Sequence, residues 1–192
     1  MSKVTACSEK TKIKIAKALR TLIIKGEFEK ITVSDITDEC GIHRQTFYYH
    51  FQDKYELLDW LLYRELLEPF IDGFCFDNMC EKLYDIFSKI YNDQDFYRNA
   101  FLVDIGCLNN YVNEIAVKQF SGIISNIGFE NGFDKNNEES HIVAEFIGCG
   151  ITGIVFEWVR KGCHETPEEL RDNVICIIKS CKELIINRAK LQ

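Results

Sequence analysis

The sequence predicts an all-α protein. Apolar residues recur at three- and four-residue spacing along nearly the whole chain, strand-like alternation is scarce, and two prolines in 192 residues leave long helices uninterrupted. A hydrophobic share of 46% beside 28% charge is that of a globular chain rather than a disordered one.

The elements follow in order. A first helix is expected over about 8–25, where Ile15, Leu19, Leu22 and Ile23 form one apolar stripe and Gly26 stops the run. A short second helix opens at Thr32, with Asp35 three residues on completing a capping box. Val33, Ile36 and Cys40 line its inner face, and Gly41 ends it. A third helix is expected from His43 to about His50, with Phe47 and Phe51 inward. Asp53 and Glu56 form a further box that starts a fourth helix through Leu57, Leu58, Leu61 and Leu62 to Pro69. Gly73 marks a linker, which divides the chain into domains 1–69 and 70–192. The second domain is expected to hold helices near 77–92, 95–106, 110–127, 139–161 and 167–189, giving about nine helices in all. Thr166, Pro167 and Glu169 supply the strongest start signal, and 128–139 reads as a surface loop.

Charge is divided along the chain. The net charge of −7 hides ten Lys and Arg against seven Asp and Glu in residues 1–54, and thirteen against twenty-three in the remainder. A basic head on an acidic body suits one end that seeks phosphate. Nine cysteines sit singly in apolar stretches, with no C-x-x-C pair and no secretory leader. They read as reduced thiols of a cytoplasmic protein with no metal site. The apolar run around Ile147 to Val155, bounded by Glu145 and Glu157, falls short of a membrane span.

Helices two and three, joined by a short turn containing Gly41, outline a helix-turn-helix over about 32–51. The third displays Arg44, Gln45, Thr46, Tyr48, Tyr49 and His50, all hydrogen-bond donors, opposite Phe47 and Phe51. Such groups are costly to bury and suited to base edges and phosphates.

Residues 10–62, through the runs ITVSDI (31–36), CGI (40–42), TFYYHF (46–51) and DKYELL (53–58), resemble the DNA-binding domain of the TetR family of bacterial regulators. That resemblance implies a three-helix DNA-binding head, a helical-bundle domain that binds ligand and dimerises, and a transcription regulator, most commonly a repressor released by an effector. Residue by residue, it gives Arg44 and Gln45 base-reading positions and Tyr48 a base or phosphate contact. Thr32, Ser34, Thr46, Tyr49, His50 and Lys54 fall at phosphate positions. Lys54 lies where a helix N-terminus already offers N–H groups to an anion. Thr32 competes as a pure cap, and His50 as a packed ring.

The resemblance also implies a homodimer built on helices 139–161 and 167–189, a palindromic operator, and two heads spaced near one DNA turn of about 34 Å. Large apolar residues (Ile142, Phe146, Ile151, Val155) alternate there with Ala144, Gly148, Gly150 and Gly153, which would admit a close partner helix. The last helix repeats Leu170, Val174, Ile177, Cys181, Leu184 and Ile185. An effector pocket is expected among the central helices, with Tyr84, Phe87, Tyr91, Phe101 and Phe120 as its aromatic lining. The segment FSKIYNDQDFYR (87–98) resembles regulators of dihydroxyacetone kinase operons, which keeps a protein effector open beside a small molecule. Thiol or metal chemistry at Cys75 with Cys80, Cys176 with Cys181, or Cys163 with His164 is a further alternative. His141 and His164 sit in no catalytic frame, so no enzyme and no cofactor is expected; a helical interaction adaptor is the rival from another class.

Overall fold

The structure, a computed structural model, describes residues 3–101, 105–130 and 138–189, and all regular elements among the described residues are helical. The chain divides into two compact units: Met1–Pro69 with Asp95–Val103, and Phe70–Gln94 with Asp104–Gln192.

The first unit opens with α1, Lys3–Lys25, five residues longer at its start than the apolar stripe alone indicates. Ile15, Leu19 and Ile23 are completely buried. A 3-10 turn, Phe28–Lys30, inserts buried Phe28 and leads to α2, Val33–Cys40. Thr32 caps α2 as expected: its hydroxyl accepts the Asp35 N–H at 3.2 Å while the Asp35 carboxylate accepts the Thr32 N–H at 2.8 Å. At the other end Gly41 sits at φ +62, its N–H on Asp38 O, and the Ile42 N–H reaches back to Thr37 O at 3.0 Å. That paired closure needs a left-handed residue, which a side chain would strain. It ends α2 just before α3, Arg44–His50.

Next comes α4, Lys54–Leu62, whose N-cap Asp53 accepts the N–H groups of Tyr55 and Glu56. The Glu56 carboxylate reaches the N–H of Gln52, one residue before the position a reciprocal box requires. The expected helix through Pro69 is not continuous. A π turn occupies Tyr63–Leu67, and α5 follows over Glu68–Ile71. Pro69 has no N–H to give an α-pattern bond, and one wide turn just before it absorbs the mismatch.

The first unit also holds a helix from later in the chain, α7, Gln94–Phe101. Its Phe96, Tyr97 and Ala100 are buried, Phe96 lies 4.2 Å beneath the Arg20 guanidinium, and Arg20 pairs with Glu65 at 2.7 Å. The Asn99 amide donates to Ile23 O at 2.9 Å, filling a carbonyl that the last turn of α1 leaves without a helical partner. By contacts, the first unit thus takes in one helix from beyond the expected boundary at residue 69. α7 continues the apolar surface of α1, a relation between distant segments.

The second unit contains α6 (Met79–Asn92), α8 (Ile105–Glu130), α9 (Glu138–Arg160) and α10 (Pro167–Ala189). The last of these starts with the expected reciprocal bonds between Thr166 and Glu169, at 2.8 and 3.2 Å. Residues 131–137 of the expected loop lie outside the described residues.

Helices α8 and α9 pack most extensively. The small residues of α9 are the reason, and they divide into two sets. Ala144, Gly148 and Thr152, spaced by four, are buried, and a Cβ placed on Gly148 would lie 2.7 Å from the Val117 backbone nitrogen of α8. Gly150 and Gly153 are exposed, with open space where a Cβ would stand. Half of the set read as admitting a partner helix is thus consumed inside the chain. The apolar residues of α10 divide likewise: Leu170, Val174 and Ile178 face inward, Ile177 is exposed, and the side chains of Leu184 and Ile185 lie outside the described residues.

The stretch His141–Arg160 has a mean hydropathy of 1.7 and, by length and composition, could cross a membrane, although no uninterrupted apolar run is that long. Only 39% of it is buried within the chain. A helix apolar on every side normally has every side covered.

Candidate nucleic-acid interface

α3 is held by one face and presents the other. Phe47 has no exposed surface and meets Phe51 at 6.0 Å, and Phe51 in turn meets Trp60 of α4 edge-on at 5.8 Å. Burying two such rings contributes about 1.5–3 kcal/mol each, enough to fix the roll of a seven-residue helix that is too short to stand alone. With Phe47 inward, helical geometry sends Gln45, Tyr48 and Tyr49 out, and all three are exposed, Tyr49 at 80%; Arg44 is exposed as well because it is the first residue of the helix, with no preceding turn beside it. Thr46 and His50 are half-buried at the edges of that face.

His50 meets the ring of Tyr49 at 5.0 Å and that of Phe51 at 6.5 Å. Burial, and then the charge of Lys12, hold its pKa below the ordinary imidazole value. Lys12 projects from α1 over the rings of Phe51 and Trp60, at 5.9 and 6.0 Å. This places an α1 cation against the end of α3. Lys12 counted in the sequence only as part of a basic head; no motif marks it.

The remaining candidates are placed less simply. Ser34 is half-buried in the first turn of α2, and its carbonyl accepts the Thr37 hydroxyl at 3.0 Å. Thr32 is exposed, but its hydroxyl proton is already given to Asp35 Oδ2 at 2.7 Å. That bond holds the Asp35 carboxyl below its usual pKa, with the Thr32 backbone N–H as second cause. Lys54 is engaged by the backbone that leads into α2. Its ammonium donates to Phe28 O, Glu29 O and Ile31 O at 3.0, 2.9 and 2.9 Å.

The five aromatic candidates for an effector lining have the following ring contacts among the described residues. Phe101 belongs to the first unit, against Tyr97. Phe87 and Tyr91 share the Trp158 ring, at 6.0 and 6.3 Å, Phe120 packs on Phe74 at 5.5 Å, and Tyr84 lies under Arg171. A polar depression of about 540 Å³ lies elsewhere, lined by His164, Glu165, Glu169, Asp172 and Asn173. Of the paired thiols, Cys163 is buried with its pKa pushed up to about 11, by burial and then by Glu165, while neighbouring His164 is exposed. A protonated buried thiol is a poor nucleophile and a poor metal ligand.

Comparison with known proteins finds a family match in each of two regions of the chain. Residues 77–180 match the family described as "Transcriptional regulator C-terminal region", and residues 15–61 match "Bacterial regulatory proteins, tetR family". The "HTH-type dhaKLM operon transcriptional activator DhaS" of Lactococcus lactis subsp. lactis (strain IL1403) is 25% identical over 168 residues, 85% of this chain and 86% of that protein. Among solved structures, "Dihydroxyacetone kinase operon activator DhaS" superposes with a TM-score of 0.67 at 23% identity, over 94% of this chain and 97% of that one. The fatty acid degradation regulator FadR from Bacillus halodurans gives 0.58 at 18% identity, over 90% and 96%.

Proposed function

Because the chain belongs to the TetR family and is a DNA-binding transcriptional regulator, we propose that α3 lies in the major groove with Arg44 and Gln45 on base edges and Tyr48 beside them. Thr46, Tyr49 and His50 hold the flanking phosphates, with Ser34 and Lys12 at the margins. The carrying observation is the division of α3 into a buried Phe47 face and an exposed donor face. Selection of duplexes from a random-sequence library, followed by gel shift, tests it: enrichment of a two-fold symmetric sequence is the expected result, and no enrichment rejects the reading. Arg44→Ala is expected to cost about 1–3 kcal/mol, concentrated at one base-pair position, as read by a panel of single-base-pair operator variants.

His50 gives a pH signature. Its folded pKa lies below the ordinary 6.5, so the unfolded chain takes up the proton first. The imidazole's contribution to stability is therefore full above 6.5 and declines as pH falls through that value. A phosphate beside the ring favours the proton instead. Operator affinity is thus expected to rise on going from pH 8 to 6, more steeply for the wild type than for His50→Gln, in fluorescence anisotropy titrations.

The protein acts as a homodimer through α9 and α10. Support comes from an apolar stripe left uncovered by the described residues: Ile142 at 59% and Phe146 at 66% exposure, followed at helical spacing by Cys149, Gly150 and Gly153, with Ile177 exposed on α10. The same stripe accounts for the high hydropathy of α9 in a protein that works in the cytoplasm, where its DNA is. No catalysis is required. An effector acts by preferring one of two arrangements of the second unit, and occupancy of the operator follows. Phe87, Tyr91 and Trp158 form an aromatic cluster in that unit, with Phe87 and Trp158 buried, which an effector would reach only by opening the packing around it. An operator overlapping a promoter gives repression released by the effector; one upstream gives activation, as the name of the Lactococcus relative states for that protein.

A further inference from the structure

We propose that Lys54 is a positioning residue that fastens the approach to α2 onto the start of α4, and is not a phosphate contact. This rests on the DNA-binding reading of the first unit.

Lys54 is the first residue of α4, at the positive end of the helix, an adverse place for a cation unless other groups hold it. Those groups are present. An ammonium carries three N–H donors, and here three backbone carbonyls accept, those of Phe28, Glu29 and Ile31, all within 3.0 Å. Phe28 and Glu29 belong to the 3-10 turn, and Ile31 is its C-cap. A short turn ends in carbonyls with few partners of its own, so these oxygens form a concentration of negative dipole. Two rings complete the cage: the nitrogen lies 4.6 Å from the Phe28 centroid and 5.4 Å from that of Tyr55. Phe28 and Tyr55 meet edge-on at 5.3 Å, and the Tyr55 hydroxyl donates to Glu29 at 3.1 Å.

The cage joins two segments more than twenty residues apart. Ile31 is followed at once by Thr32, the N-cap of α2, so the ammonium fixes where α2 begins relative to α4. From the other side, α4 receives Phe51 from the end of α3 through Trp60. Both ends of the helix-turn-helix are thereby referred to α4. With every donor of Lys54 committed, a phosphate would have to displace a carbonyl, releasing the turn that positions α2.

Lys54→Met keeps the stem and removes the donors; Lys54→Arg keeps the charge, but its planar fork cannot converge on three carbonyls. Each would be compared with wild type for melting temperature, and for affinity toward a duplex selected by the wild-type protein and toward a random-sequence duplex across a salt series, at a temperature where all are folded. Both variants are expected to melt lower and to lose at least tenfold in preference for the selected duplex, with the slope of log Kd against log salt unchanged. A slope lowered by about one in Lys54→Met, with Lys54→Arg behaving as wild type, overturns the proposal, because that is the mark of one lost phosphate. Lower melting with unchanged preference also overturns it, leaving a purely structural role. Should Lys54→Met fail to fold, the wild-type ammonium can be followed by proton–nitrogen NMR: a slowly exchanging signal unmoved by DNA supports the cage, and a signal shifted by DNA refutes it. If the wild-type protein selects no duplex, the DNA reading fails, while melting and the ammonium signal still decide whether the cage exists.

Discussion

Gly148→Ala is expected to destabilise the fold by about 1–3 kcal/mol, lowering the melting temperature of a chain this size by roughly 2–12 °C in calorimetry. A β-carbon on Gly148 would stand 2.7 Å from Val117 N, 2.8 Å from Val117 Cα and 2.8 Å from Cγ2. Two of those three atoms are backbone in the middle of a helix and cannot rotate aside, so α8 and α9 must separate. Separation loosens packing that also buries Ala144 and Thr152, whose hydroxyl bonds Gly148 O at 2.9 Å. The intrinsic preference of helices for alanine, about 1 kcal/mol, works in the opposite direction and sets the lower part of the range. Gly122→Ala isolates that preference. Gly122 lies in α8 with nothing within 4 Å of a built Cβ, and its substitution is expected to raise stability by up to about 1 kcal/mol. Equal behaviour of the two variants would mean that the close approach at Gly148 does not exist.

What was legible in the sequence divides by range. Capping boxes such as Thr32 with Asp35 and Thr166 with Glu169 connect residues three apart, and both form as expected. The Gly41 turn and the inward pair Phe47 and Phe51 are equally local, so the exposed face of α3 follows from them. Lys54 was not legible. Its partners are backbone carbonyls 23 to 26 residues upstream, and any residue type supplies a carbonyl. The docking of α7 on α1 has the same character, since Arg20 over Phe96 and Asn99 on Ile23 O pair groups 76 residues apart. Periodicity failed differently in α9. Between Glu145 and Glu157 this helix has no charged residue to mark a solvent face, so Ala144 and Gly148 could not be told from Gly150 and Gly153 as inward or outward. Aromatic richness likewise could not say which neighbours Phe87, Tyr91 and Phe120 would meet, because ring type carries no information about the partner.

The outward half of α9 yields the second large effect. With Ile142 and Phe146 the most exposed of the large aliphatic and phenylalanine side chains on that stripe, the double substitution Ile142→Glu and Phe146→Glu is expected to convert the proposed dimer to a monomer in sedimentation velocity. In a two-fold interface each residue faces the same patch of its copy, so two substitutions place four carboxylates together in a desolvated seam. Their mutual repulsion compounds the removal of two large apolar groups from that seam. Folding of each chain is expected to persist, because neither side chain contributes to the buried core. Loss of the partner uncouples the two half-sites, and operator affinity is expected to fall on the order of 10²-fold or more, while affinity for a single half-site duplex changes little. The difference between the two duplexes is decisive. A damaged head would weaken both alike, whereas a monomer with an intact head loses only the advantage of binding twice. A variant that remains dimeric would place the interface elsewhere and leave the apolar stripe of α9 to a different partner.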